Sequence, residues 1–235
     1  MTSLLVRPPA ELEAIALRGA AELAGATAAE ILTWGVAEFG PGLAISASMQ
    51  DTVLAHLAAQ VSPGIDVIFL DTGYHFVETI GTADAVEAVY DVTLRRILPE
   101  LTVAEQDAQY GAKLHDRDPD ACCAMRKVAP LNKALQGYEA WATGVRRSES
   151  PSRAHTPVIA FDPKKRKVKF APLAFWTDDE VDAYATASGV LMNPLLQLGY
   201  PSIGCEPCTA AVAPGEDARA GRWSGSTKTE CGLHL

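Results

Sequence analysis

The sequence predicts an α/β protein built on a mostly parallel sheet flanked by helices. Short apolar, β-branched stretches recur along the chain, and segments of helical composition separate them. These strand segments are apolar rather than alternating, the pattern of strands covered on both faces. In such sheets ligands sit beyond the carboxyl ends of the strands, which directs attention to the loops that follow them.

Residues 1–38 are rich in Ala, Leu and Glu, and Leu12, Ile15 and Leu23 fall at helical spacing, so they are expected to form one or two N-terminal covering helices. Residues 39–235 are expected to form one functional domain, with a flexible C-terminal segment from about 215. Its first strand, Leu43 to Ser46, leads through Ala47, Ser48, Met49, Gln50 and Asp51 into a helix over Thr52 to Gln60. A second strand, Asp66 to Leu70, ends in Asp71-Thr72-Gly73 before a helix over Phe76 to Tyr90. Further strands are expected at Val92 to Leu94, Trp141 to Thr143, Val158 to Ala160 and Lys167 to Phe170. The basic run from Lys164 to Lys169 reads as a solvated hairpin edge. Thr177-Asp178-Asp179-Glu180 is a capping box that opens a helix, and Gly189 closes it. Asn193 to Leu235 is rich in Pro and Gly and lacks periodicity.

With 235 residues of which 48% are hydrophobic, the chain can bury a sizeable core, so disorder is not the natural reading. A formal net charge of -9 argues against a surface that grips nucleic acid. Five cysteines are too sparse for a disulfide framework, and an odd number excludes full pairing. Arg7, Glu11, Glu13, Arg18 and Glu22 interrupt the N-terminus, unlike a signal peptide. No stretch reaches the roughly 18 apolar residues of a membrane span, so a cytoplasmic protein with no membrane partner is expected.

The cysteines divide into four and one. Cys122 and Cys123 are adjacent on a helical segment that Pro130 is expected to interrupt, and Cys205-Glu206-Pro207-Cys208 has the tight-loop spacing of metal ligands. Adjacent helical side chains diverge by about 100°, awkward for one zinc ion but suited to different corners of a multi-iron cluster. Four thiolates are the complement for a 4Fe-4S cluster; a structural zinc site, buried free thiols or a regulatory disulfide are the alternatives. Arg126 and Lys127 place positive charge beside this set. Cys231 lies in Glu230-Cys231-Gly232-Leu233-His234, with Lys228 upstream, where cations can favour a nucleophilic thiolate and Glu230 opposes it. The plain reading is a spare thiol on a frayed tail. Arg146, Arg147, Arg153, Arg219 and Arg222 supply guanidinium forks suited to sulfate or phosphate oxygens, or else simply face solvent.

The loop after the first strand resembles the Ser-Gly-Gly-x-Asp-Ser loop of the adenine nucleotide alpha-hydrolase superfamily, a Rossmann-like fold. Ala47 and Met49 replace its glycines, which argues against an ATP-splitting enzyme with a structural zinc site. The sets Cys122-Cys123-x-x-Arg126-Lys127, Trp141-x-Thr143-Gly144-x-Arg146-Arg147, Gly204-Cys205-x-x-Cys208-Thr209, Gly215-Glu216-Asp217-x-Arg219-x-Gly221-Arg222-Trp223 and Lys228 to His234 resemble, in order, the assimilatory adenylyl-sulfate reductases. The resemblance runs from about Gly42 to the C-terminus.

It implies reduction of adenosine 5'-phosphosulfate to sulfite and AMP, with a separate thioredoxin as electron donor, in sulfate assimilation towards cysteine. It further implies that Cys231 is the nucleophile and forms an S-sulfocysteine, and that Cys122, Cys123, Cys205 and Cys208 hold one 4Fe-4S cluster. Lys127, Arg153, Arg219, Arg222 and His234 match the positions that contact the phosphosulfate, with Arg146 and Arg147 as further candidates. Ser46, Ser48 and Asp51 fall in the modified loop, Leu70 and Asp71 near adenine, and Gly144 beside ribose. A homo-oligomer is expected. The 3'-phosphoadenylyl-sulfate reductases resemble the chain in fold but typically lack the four cluster cysteines, and a non-catalytic iron-sulfur sensor is a third possibility.

Overall fold

A computed structural model of the chain describes residues 6–226 and 228–233. Two helices, α1 (Pro9–Glu22) and α2 (Ala28–Phe39), precede the sheet. Pro9 starts α1, where its missing N–H costs nothing, and Thr27 with Glu30 forms a reciprocal capping box at the start of α2. Then follow β1 (Leu43–Ser46), α3 (Val53–Val61), β2 (Ile65–Leu70), α4 (Val77–Val89) and β3 (Val92–Ile97). A helical excursion, α5 (Val103–Tyr110), α6 (Leu114–Arg117), α7 (Pro119–Cys123) and α8 (Ala129–Ala134), leads to β4 (Ala140–Thr143), β5 (Ile159–Asp162), β6 (Lys167–Phe170) and α9 (Asp178–Ser188).

The strands form one six-stranded sheet in the order β3-β2-β1-β4-β6-β5, parallel except for the β5–β6 pair. The chain order reverses between β1 and β4, so the carboxyl ends of these central strands flank a crevice at the topological switch point. Thr177 caps α9 through a capping box with Glu180, and Gly189 closes it in the left-handed conformation, as the sequence predicts. Pro130 does not end its helix. A π turn over Ala124–Val128 joins α7 to α8, with the Ala129 N–H reaching back to the Ala124 carbonyl, and Pro130 sits in the first turn of α8. The wider turn avoids the clash a proline ring makes with the carbonyl four residues before it.

The hairpin expectation is right about the strands and incomplete about the edge. β6 lies inside the sheet between β4 and β5, so only β5 forms the edge. Lys167 is buried and donates to the Tyr138 carbonyl, and the Lys169 ammonium lies 5.3 Å from the Trp141 ring centre, its pKa brought down to about 8 first by burial and then by Lys165. Lys164 and Arg166 of this run are exposed, whereas Lys165 and Lys169 are half-buried.

The N-terminal helices cover one face of the sheet, with α1 packed on β5 and β6. Leu12, Ile31 and Leu32 share one buried cluster with Phe170 and Ile159, and Trp34, Phe39 and Phe170 form a mutually tilted aromatic set. Arg7 ties the entry to this layer: it donates to Glu38 at 2.6 Å and, through Nε and Nη2, to Oε2 of Glu139 just before β4, while its backbone N–H donates to Oε1 of the same carboxylate at 2.6 Å. Leu12 is completely buried. Leu12→Ala is therefore expected to lower stability by about 2–5 kcal/mol, the cost of a core cavity, read as a fall in the urea midpoint; a loss below about 0.5 kcal/mol, the range of a surface substitution, would mean the layer is not part of the core.

Candidate active site

The carboxyl ends of β1, β2 and β4 open into one solvent-open cavity, about 1080 Å³ with the solvent at its mouth included. Ser46, Ala47, Ser48, Gln50 and Asp51 line it from the β1 loop, Phe69 and Leu70 from β2, and Thr143, Gly144 and Val145 from β4. Lys127 enters from the π turn, Arg153 from the loop before β5, Arg219 and Arg222 from the C-terminal region, and Cys231 from the tail. Residues distant in sequence thus meet at one place, because parallel strands direct their following loops to the same edge.

Met49 has φ of 62°, a left-handed conformation rare for a residue with a side chain. The loop therefore keeps a glycine-like backbone at a position occupied by methionine. Burial of the Met49 side chain, completely inaccessible, offsets the strain, and Asn193 Nδ2 donates to its carbonyl at 3.0 Å. The N-terminus of α3 is already answered by an acid: Asp51 Oδ1 accepts from the Val53 N–H at 3.3 Å. Burial raises the Asp51 pKa, with Glu149 adding to the effect and Arg146 opposing it.

A second cavity of about 330 Å³ is lined by Cys122, Cys123, Cys205 and Cys208, together with Tyr74, His115, Arg126, Lys127 and Trp223. Burial pushes the Cys122 thiol up to about 12 and Cys208 to about 11, with neighbouring cysteines adding to both. Among the described residues no group of three or more His, Cys, Asp or Glu is arranged around a single metal ion. Arg126 is buried and structural: it donates to the Thr72 carbonyl and to Gln106 Oε1 at 3.0 Å, fixing the turn after β2. Lys127 lines both cavities. Burial alone would depress its ammonium, but Cys205, Cys231 and Cys123 outweigh that and hold its pKa above the ordinary lysine value, against opposition from Arg222.

The other predicted residues separate by position. Arg146 is buried away from the main cavity, donating to Asp178 at 2.8 Å and lying 3.5 Å from Asp51. The Arg147 guanidinium stacks 4.0 Å from the Phe175 ring centre and donates to the Thr156 carbonyl. Asp71 accepts from the Gly73 N–H at 3.0 Å and shapes the turn beside Leu70. His234 lies outside the described residues. His75 escaped the sequence reading: it lines the cavity, lies 5.1 Å from the Phe69 ring, and donates Nε2–H to the Leu70 carbonyl at 2.9 Å, and burial lowers its pKa. Its one available signal was its place directly after the Asp71-Thr72-Gly73-Tyr74 turn.

This fold and cavity define an adenine nucleotide alpha-hydrolase-like α/β domain with a cationic, thiol-bearing cleft. Residues 41–211 match the phosphoadenosine phosphosulfate reductase domain, and the chain belongs to that family. It is 60% identical over 228 residues to the adenosine 5'-phosphosulfate reductase of Streptomyces coelicolor, covering 97% of each chain. Among solved structures it is similar to phosphoadenylyl-sulfate reductase from Candida auris in a phosphate complex, with a TM-score of 0.73, 29% identity, and coverage of 84% of this chain and 96% of that one. FMN adenylyltransferase from Candida glabrata shares the fold alone, with a TM-score of 0.57 at 14% identity, covering 84% of this chain and 66% of that one. No described helix is long and apolar enough to cross a membrane.

Gly204 has a specific steric role. A Cβ built there would fall well inside contact distance of the Arg222 guanidinium. Because that guanidinium is the end of a flexible side chain, Gly204→Ala is expected to displace Arg222 from the cavity wall while the fold survives. The expected result is an about tenfold or greater loss of affinity for a small oxyanion nucleotide by calorimetry, with an unchanged urea midpoint; unchanged affinity would show that Arg222 does not serve that ligand.

Proposed function

We propose that this protein reduces adenosine 5'-phosphosulfate to sulfite and AMP in cytoplasmic sulfate assimilation. The observation that carries the reading is the meeting of Cys231 with Lys127 and Arg222 in the cavity at the carboxyl edge of the sheet. The name of the Streptomyces coelicolor relative supports it. The loops after β1, β2 and β4 would receive the nucleotide, with Ser46, Ser48, Leu70 and Gly144 along its path. Lys127 and Arg222 would neutralise the phosphosulfate oxygens, since a dianionic substrate otherwise repels a thiolate. Arg153 and Arg219 line the same cavity but are paired with Glu230, and His234 is a further candidate for the same task.

The Cys231 thiolate attacks the sulfate sulfur, an S–S bond forms, and the bridging S–O bond breaks with its electron pair passing to the AMP phosphate. A thiolate of thioredoxin then attacks Cys231 Sγ and sulfite departs with the S–S electron pair. The second thioredoxin thiol resolves the mixed disulfide, so thioredoxin is oxidised and Cys231 is restored.

Cys122, Cys123, Cys205 and Cys208 fit a 4Fe-4S cluster as donors, being four thiols that line one small cavity. Such a cluster supplies fixed charge beside the substrate cavity, and Lys127, which borders both cavities, would carry its influence to the substrate oxygens without redox cycling.

Cys231→Ser is expected to abolish thioredoxin-dependent sulfite release while anaerobically purified protein keeps about four irons and four acid-labile sulfides per chain. Loss of iron in this variant, or zinc in place of iron in the wild type, contradicts the assignment. Faster turnover of the 3'-phosphorylated nucleotide would reassign the substrate.

A further inference from the structure

The tail that carries Cys231 is docked, and Glu230 is its charged anchor. Glu230 is 9% exposed. Its carboxylate accepts from Arg153 Nε at 2.8 Å and from Arg153 Nη2 at 2.7 Å, one bond to each oxygen. Ser152 Oγ donates to it at 3.0 Å and Ser150 Oγ at 3.3 Å, and Arg219 Nη2 lies 3.4 Å away. Arg219 Nη2 also donates to the Thr229 carbonyl at 2.8 Å. A carboxylate held by a bidentate guanidinium and two hydroxyls is nearly saturated, and such charge-assisted forks fix orientation as well as distance.

Among the other described tail residues, Leu233 packs against the buried cluster of Ile68, Leu70 and Trp141, and the polar contacts are longer or more exposed. Lys228 reaches Asp120, which is exposed, and the Leu233 carbonyl accepts from Lys165 at 3.3 Å. Gly232, with φ of 81°, turns the chain immediately after Cys231.

The cavity cations therefore fall into two pairs. Arg153 and Arg219 are committed to Glu230, and Arg153 also to Glu149 at 2.6 Å, whereas Lys127 and Arg222 have no carboxylate partner among the described residues. We infer that Glu230 is a positioning residue, seated in a cradle of Arg153, Ser150, Ser152 and Arg219 so that the adjoining Cys231 is held at the cavity wall. Consecutive Cα atoms are about 3.8 Å apart, so anchoring Glu230 leaves Cys231 little freedom beyond its own backbone torsions. A nucleophile misplaced by about 1 Å costs roughly 100-fold in rate, which makes such anchoring matter. Glu230 thus contributes through geometry, and the opposed charge that a neighbouring carboxylate would place on the thiolate is cancelled by the two guanidinium groups. The inference rests on Cys231 being the nucleophile of the proposed reaction.

The test uses the holoprotein and Glu230→Gln, with Ser150→Ala/Ser152→Ala as a milder second variant outside the charged pair. Without substrate, hydrogen exchange of the amides of residues 228–233 and alkylation of Cys231 by iodoacetamide, mapped by peptide mass spectrometry, are expected to accelerate about tenfold in Glu230→Gln and less in the serine variant. In a single turnover with adenosine 5'-phosphosulfate and no thioredoxin, adduct formation on Cys231 is expected to fall about 10- to 100-fold, with AMP affinity within about threefold of wild type. Glu230→Asp is expected to recover part of that loss.

Wild-type exchange and alkylation rates in both variants would overturn the inference. So would AMP binding at least about tenfold tighter with adduct formation at the wild-type rate, because Glu230 would then be a competitor for the substrate's cations. If wild-type protein forms no adduct on Cys231, the proposed reaction fails, while the exchange and alkylation rates still decide whether Glu230 anchors the tail.

Discussion

The structure turns on positive charge left without carboxylate partners in a cavity wall. Lys127 and Arg222 lack acidic partners among the described residues, in a chain that carries an excess of acidic groups. Partly desolvated cations persist in a fold only where something anionic answers them. On one side of Lys127 lie the thiols of the smaller cavity, and on the other lies the space at the carboxyl edge of the sheet, where Cys231 also sits. Burial depresses the Arg222 guanidinium, and Arg219 adds to that, so an oxyanion beside Arg222 would favour its charged form. An acidic surface around a cationic cleft also confines anion binding to the cleft.

The sheet makes this arrangement possible. Reversal of strand order between β1 and β4 creates the crevice, and the π turn before Pro130 aims Lys127 towards it from the segment that carries Cys122 and Cys123. The N-terminal layer, pinned by Arg7 to Glu38 and Glu139, supports the β4 and β6 strands from behind. Asn193 then braces the β1 loop through the Met49 carbonyl, and the tail docks on the loop between β4 and β5 through Glu230. A rigid strand edge and a docked tail are what a covalent mechanism needs, since attack requires alignment more than it requires new contacts.

Much of this was legible in the sequence because local patterns carried it. All six strands, the capping box at Thr177 and the Gly189 stop announce themselves through composition and turn chemistry, and the cysteine spacing pointed to one shared cavity. What was illegible depended on tertiary neighbours. The lysines from Lys165 to Lys169 read as solvated because nothing local reveals that β6 is an interior strand. Arg146 and Arg147 have the composition of ligand-binding residues, yet Asp178, Asp51 and the Phe175 ring engage them. Met49 looked like a loss of loop geometry, but burial and Asn193 maintain the left-handed backbone a glycine would adopt freely. Glu230 looked unfavourable for its cysteine, and only the fold shows the two arginines that cancel its charge, holding its pKa down to about 2 against the burial that would raise it.

The central claim is that four thiols serve as ligands while Cys231 alone reacts. Peptide mass spectrometry of anaerobic protein incubated with adenosine 5'-phosphosulfate, without thioredoxin, tests it directly. An increase of about 80 Da, the mass of SO3, is expected on the peptide containing Cys231 and on none containing Cys122, Cys123, Cys205 or Cys208. An adduct on any of those four, or none on Cys231, contradicts it.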